Sequence, residues 1–259
     1  MADWNSKQYL KFKNERTQPA IDLVNRIQLE NPSKIVDIGC GPGNSTQVLA
    51  ARFPNAKILG IDSSESMIEA ARKQYPELEF RVCDAANDLA ALGNDFDLVF
   101  SNACIQWIEN HKRLLPSMMG LLKSGGILAV QTPMNYGEPI HKLIQEVTAS
   151  PKWRALFPNP RIFFNLTQEE YYDLLSEISP DFSMWLTTYM HIMKSHKDIF
   201  EWYLSTGLKP YLDALTEEEK IPFELDIMNR IEHDYPKQKN GQIIFRFPRF
   251  FFIAAAGSH

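Results

Sequence analysis

No stretch of this chain stays apolar for the roughly 18 consecutive residues that a membrane helix takes. Cysteine is scarce, with three in 259 residues. Cys40, Cys83 and Cys104 are odd in number, lie on or beside apolar stretches and form no Cys-x-x-Cys pair. That argues against a disulfide framework and leaves reduced, buried thiols. A basic excess is missing too: Lys and Arg number 27 against 32 Asp and Glu, a formal charge of −5. The chain therefore presents no broad positive field to draw nucleic acid, although a local basic pocket for a small anion remains open. The six histidines are scattered, and His191 and His196 stand five apart where one helix face needs four, so no metal site is expected. The start, Met1-Ala2-Asp3-Trp4-Asn5, lacks the basic and apolar regions of a signal peptide, which points to the cytoplasm. Internal repeats and low-complexity linkers are lacking as well, so residues 1–256 are expected to form a single domain, with 257–259 resembling a tag remnant. Oligomeric state leaves no mark in the sequence.

What is present centres on Ile35-Val36-Asp37-Ile38-Gly39-Cys40-Gly41-Pro42-Gly43-Asn44-Ser45-Thr46. An apolar run, Lys34 to Ile38, passes through alternating glycines into a helical pattern from Ser45 to Phe53. Strand, tight turn and helix in that order make a ligand cradle on bare backbone. The dinucleotide fingerprint Gly-x-Gly-x-x-Gly would need glycine at position 44, which is asparagine. An acid two residues before the first glycine, Asp37, suits a ligand carrying an amino group at that point.

The remaining chain continues the alternation. Residues 1–30 read as a lid and a helix: aromatics Trp4, Tyr9 and Phe12 with Arg16, then a helix start at Thr17-Gln18-Pro19. Tyr9 and Arg16 are placed to close over a ligand. A second strand, Lys57 to Ile61, ends at Asp62, which stands 19 residues after Gly43, the spacing of an acid that accepts ribose hydroxyls. Ser63-Ser64 reads as a helix-capping pair, and Met67, one turn on, could rest on an adenine ring. A third strand, Leu78 to Val82, is closed by Cys83-Asp84-Ala85, and Asp84 suits an exocyclic amine. The fourth, Phe96 to Ser101, exits through Asn102-Ala103-Cys104-Ile105-Gln106-Trp107. Ligands in open α/β sheets bind outside the carboxyl ends of the strands, so these four endings converge on one crevice. A helix from Lys112 to Leu122, a C-cap turn at Lys123-Ser124-Gly125-Gly126 and a fifth strand, Ile127 to Thr132, complete a core over 31–134.

From 135 to 256 the pattern changes. Helical stretches run from Ile140 to Ala149 and from Gln168 to Ile178, Ser183 to Met190 alternates like a strand, and a helical insertion covers about 197–236. The apolar strand Gln242 to Ala256 is interrupted by Pro248 and carries Arg246 and Arg249, which fits a place near the sheet edge, or a bulge. Two strands flanking a helical insertion pair only if the insertion forms a cap at their open end.

On Val36 to Gly43, Asp62 and Asp84-Ala85, the sequence resembles the class I S-adenosylmethionine-dependent methyltransferases. On further motifs it is similar, within that class, to the trans-aconitate methyltransferase family. These are Asp3-Trp4-Asn5 with Glu15-Arg16, Gly60 to Ser64, Asn102-Ala103 with Gln106-Trp107, Thr206-Gly207-Leu208 with Pro210, and Phe247-Pro248-Arg249. The resemblance implies an α/β, Rossmann-like, seven-stranded, mostly parallel doubly wound sheet. Its last strand would run antiparallel, and a helical cap would be inserted between the last two strands. It also implies methyl transfer from S-adenosylmethionine to a carboxylate of a small tricarboxylic acid, leaving S-adenosylhomocysteine. By position, Asp37, Gly39 and Gly41 would face the methionine part, Asp62 the ribose, Asp84 and Ala85 the adenine, and Asn102 with Ala103 the neighbourhood of the sulfur, with Gly43, Ser63 and Met67 as further cofactor-binding candidates.

The fourth strand's exit offers no catalytic base and no Asn/Asp-Pro-Pro-aromatic clamp. A carboxylate acceptor needs neither, because at a pKa of about 4 it is already ionised at neutral pH. Catalysis then reduces to alignment and exclusion of water. Holding a polyacid calls for arginine, lysine and tyrosine, and Tyr9, Arg16, Lys209, Tyr211 and Arg246 are the sequence's candidates, with Trp107 as an apolar wall. Arg16 could hold the cofactor's carboxylate instead. The alternatives are an enzyme of this class acting on another small acid, a non-catalytic S-adenosylmethionine-binding protein and, against Asn44, a nicotinamide dehydrogenase.

Overall fold

Uninterrupted apolar runs bounded by turn residues need burial on both faces, and the strands that carry them lie in the middle of the sheet. In the computed structural model, which describes residues 13–204 and 206–257, β1 (Lys34–Ile38) and β4 (Phe96–Asn102) are almost wholly buried. Around them stand β2 (Lys57–Asp62), β3 (Glu79–Val82), β5 (Leu122–Pro133), β6 (Asp181–Met193) and β7 (Ile243–Ala255). The strand order is β3-β2-β1-β4-β5-β7-β6. The contacts β1 with β2, β1 with β4, β2 with β3 and β4 with β5 are parallel, and β5 with β7 is antiparallel. This is the seven-stranded, mostly parallel sheet expected, with helices between successive strands.

The helices are α1 (Lys13–Asn25), α2 (Asn44–Arg52), α3 (Glu65–Gln74), α4 (His111–Met119), α5 (Pro139–Ala149), α6 (Gln168–Ile178), α7 (His196–Leu204), α8 (Lys209–Asp213) and α9 (Glu217–Asp234). None among the described residues is long and apolar enough to cross a membrane. Two boundaries correct the sequence expectations. Pro19 lies inside α1, not at its start. The bond it forfeits is offset by Ala20, Leu23 and Val24, which the helix buries completely. Next, α4 ends at Met119, and Lys123 to Gly126 belongs to β5. There Phe96 pairs with Leu122 but Leu98 with Ile127, so the glycines build a bulge, Gly125 taking φ 71°. Of the expected capping pair it is Ser64 that caps α3, its hydroxyl accepting from Met67 N at 3.4 Å.

Pro248 does not interrupt β7, which is regular in its pairing with β5 from Arg249 to Ala255. The proline falls one step beyond the last of those pairs, where its carbonyl accepts from Met134 N at 3.0 Å and no donor is required of it.

The chain divides into two compact units. The first holds Thr17–Pro133, Phe163–Thr187 and the chain from Arg249, and so contains the parallel strands with their helices. The second holds Met134–Ile162 and Thr188–Pro248. Its own core is one aromatic-rich cluster, in which the rings of Trp153, Phe157, Tyr211 and Phe223 touch one another, as do those of Trp202, Phe245 and Phe247. Its longest helix, α9, begins with a reciprocal cap, Glu219 N donating to Thr216 Oγ1 and Thr216 N to the Glu219 carboxylate.

Candidate active site

The carboxyl ends of β1 to β4 meet within the first unit around a cleft of about 590 Å³. Gly39 lines it from β1, Asp62 and Ser63 from β2, Cys83, Asp84 and Ala85 from β3, and Cys104 and Trp107 from the exit of β4. Arg113 and Ser117 of α4 close another side. Such a volume holds a molecule of cofactor size.

The turn from β1 into α2 uses its glycines for different ends. Gly39 takes φ +73°, and a Cβ there would stand 2.2 Å from Cys104 Sγ, so the exit of β4 packs on bare backbone. At Gly41, φ +53°, a Cβ would meet nothing within 4 Å, so the backbone there faces open space. Gly39 N and Cys40 N both donate to Ile61 O, at 2.8 and 2.9 Å, which stitches the turn onto β2. Asp62 continues the stitch: its Oδ2 accepts from Gly41 N at 3.0 Å and its Oδ1 from Ser64 N at 2.9 Å.

Asp37 lies beneath this turn, fully buried. Its Oδ2 accepts from Ser45 Oγ at 2.6 Å and Thr46 Oγ1 at 2.7 Å, both in the first turn of α2. Its Oδ1 has no hydrogen-bond partner. Burial pushes the carboxyl up to about 6, with the charge of Asp62 adding to it and the two hydroxyls opposing it. A buried carboxyl made harder to ionise and left with one oxygen unpaired is suited to a cationic donor. Cys104 is also pushed up by burial, to about 12, so it stays a thiol.

The exit of β4 is strained. Ala103 adopts φ 55°, uncommon for a residue with a side chain, and is held from both sides. Its N–H donates to Gln131 O at 2.9 Å, and its carbonyl accepts from Gln106 Nε2 at 2.7 Å. Trp107, 41% exposed, stands against Phe163 at 4.9 Å between ring centres.

Comparison with known proteins agrees with this geometry. Residues 35–126 match a family described as a methyltransferase domain. A trans-aconitate 2-methyltransferase of Methylobacterium radiotolerans is 43% identical over the whole of both chains. One from Escherichia coli is 43% identical over 98% of each. The chain belongs to the trans-aconitate 2-methyltransferase family. Two more distant structures share the fold. The YcgJ protein of Bacillus subtilis has a TM-score of 0.61 at 13% identity, over 93% of this chain and all of its own. A plantazolicin methyltransferase has 0.54 at 20%, over 96% and 90%.

Within that family frame, the sequence's cofactor candidates fall into three groups. Gly39, Asp62, Ser63, Asp84 and Ala85 line the cleft, as does Trp107 from the substrate set. Asp37, Gly41, Asn102 and Ala103 sit at the same strand ends or turn without lining it. Gly43 and Met67 stand further back: a Cβ at Gly43 would press on the Tyr75 ring at 2.8 Å, and Met67 is half-buried in the first turn of α3. Asp84 spends both oxygens on its own turn, accepting from Ala86 N and Asn87 Nδ2 at 2.9 and 2.8 Å.

Among the other substrate candidates, Tyr9 and the Arg16 side chain lie outside the described residues. Lys209 pairs with Asp213 at 3.1 Å, and Arg246 is exposed on β7. Tyr211 is buried in the second unit, its hydroxyl accepting from Arg161 N at 3.2 Å. Arg161 was missed, since the segment around it has no periodicity to flag it. Its Nη1 donates to Thr206 O at 2.5 Å, and its charge adds to burial in holding His141 down at about 4. Nearby, the hydroxyl of Tyr203 bonds His141 Nε2 at 3.0 Å and accepts from Asn135 Nδ2 at 3.2 Å.

Proposed function

We propose that this protein transfers the methyl group of S-adenosylmethionine to a carboxylate of trans-aconitate, forming a methyl ester and S-adenosylhomocysteine. The observation that carries the reading is the match, end to end at 43% identity, with relatives named for that substrate. The residues present fit the cofactor. The unpaired Asp37 Oδ1 can take an ammonium group and Gly41 offers open backbone. Asp62 stands at the end of β2 for the ribose, and Asp84 with Ala85 at the end of β3 for the adenine.

When bound, S-adenosylmethionine supplies a methyl group activated by a sulfonium. The protein's share is positioning. The acceptor carboxylate arrives ionised, so no side chain has to remove a proton. The strand-four exit is consistent with this, since its one ionisable side chain, Cys104, keeps its proton at neutral pH. Alignment of carboxylate oxygen with methyl carbon, and removal of water around both, then sets the rate.

The test is production of S-adenosylhomocysteine with trans-aconitate, cis-aconitate, citrate and isocitrate offered separately. Trans-aconitate is expected to give the highest kcat/KM. Preference for another acid would keep the class and replace the substrate, and tight cofactor binding without any turnover would point to a binding protein.

A further inference from the structure

A central strand of a parallel sheet is normally apolar throughout, and β5 departs from this at Gln131, whose side chain is completely buried. Burying an unsatisfied amide is costly, so each of its atoms should have a use. Arg249 of β7, itself 5% exposed, donates from Nη1 to Gln131 Oε1 at 3.2 Å. Because a guanidinium only donates, the atom facing it must be the amide oxygen, and the orientation of the amide is fixed. That turns Gln131 Nε2 the other way, where it is buried with no partner.

The neighbouring strand repeats the pattern. Asn102 is the register partner of Gln131 on β4, and its Oδ1 is also buried and unpaired. One strand further, Ile38 pairs with Ser101, so the next step of the register sets Gly39 beside Asn102. Along the carboxyl edge the order is thus Gly39, Asn102, Gln131, with strands about 4.8 Å apart. Gly39 lines the cofactor cleft. The unsatisfied amides come next in line along that edge. The polar residues beside them are satisfied: Thr132 Oγ1 donates to Gln106 Oε1 at 3.2 Å, and Asn165 Nδ2 to Pro133 O at 2.7 Å. Open valences remain at Gln131 Nε2 and Asn102 Oδ1.

We propose that Gln131 binds a carboxylate of the acceptor acid through its Nε2, and that Arg249 is the positioning residue which fixes this amide and backs it with positive charge. This rests on the reading of the protein as a carboxyl methyltransferase. It also reverses the choice between the two arginines of β7, since Arg246 is exposed and Arg249 stands at the sheet's active edge.

Gln131→Glu is the informative variant. It offers Arg249 a carboxylate in place of the amide oxygen, which keeps the fold, and it replaces the donor facing the acid by an anionic oxygen. KM and Kd for trans-aconitate, the latter measured by calorimetry on the S-adenosylhomocysteine complex, are expected to rise about 30-fold or more, the scale of a lost charged hydrogen bond. S-adenosylhomocysteine affinity and Tm should hold. Arg249→Met is expected to raise KM as well, and Arg249→Lys to restore part of it. Unchanged KM and Kd in Gln131→Glu would overturn the proposal while leaving a wild-type enzyme active on the acid untouched. Failure of wild type to bind or turn over any of the four acids would overturn both.

Discussion

Asp37 is made harder to ionise by the same burial that makes it useful. Its folded value of about 6 stands above the usual 3.8. Between those two values the folded, empty protein holds a proton that the unfolded chain has released. The charge therefore costs stability as pH rises through this window, by about 3 kcal/mol in full above it. An ammonium at Oδ1 requires the ionised form. Affinity for S-adenosylhomocysteine is therefore expected to fall below about pH 6, toward tenfold per pH unit, and Asp37→Asn to bind more weakly at pH 7.5 with this pH dependence lost. Calorimetry across pH 5 to 8 measures it; a wild-type affinity flat over that range would show that Asp37 does not meet the ligand's amino group. The acid was legible in the sequence from its place before the glycines. Its unpaired oxygen was not, since that depends on Ser45 and Thr46 both turning to the other one.

At the scale of elements, the β1–α2 turn separates two kinds of glycine that look alike in sequence. Gly39→Ala drives a methyl group into the Sγ and Cβ of Cys104 and is expected to cost about 3 kcal/mol, which Cys104→Gly in the same chain should partly restore. Gly41→Ala enters open space at positive φ and should cost about 1 kcal/mol, while weakening S-adenosylhomocysteine binding by more than that. Thermal melts with and without ligand distinguish them. An equal stability loss at both positions would contradict the assignment. Most elements could be read from apolar runs and glycines, because parallel strands declare themselves by burial on both faces. The bulge in β5 could not, because Gly125-Gly126 serves a helix cap and a bulge equally well. The arginines of β7 were half legible. Three residues apart on a strand, they must point to opposite faces, but choosing the buried one takes the register with β5, which sets Arg249 against Pro133.

For the molecule as a whole, the seven-stranded, mostly parallel sheet and its antiparallel last strand were implied by family resemblance and are present. The core of the second unit was less visible. Its aromatics come from helices and strands far apart in sequence, and Arg161 sits on a segment without regular structure. A net charge of −5 means that an anionic acid has to be recognised by local donors, not drawn in by the whole protein. The account stands on ester formation at a carboxylate. Its most direct test is to supply S-adenosylmethionine labelled in the methyl group together with trans-aconitate and to follow the label. The expected result is label in a small, base-labile ester, formed in equal amount to S-adenosylhomocysteine. Label that resists base or stays on the protein, or S-adenosylhomocysteine formed without any ester, would contradict it.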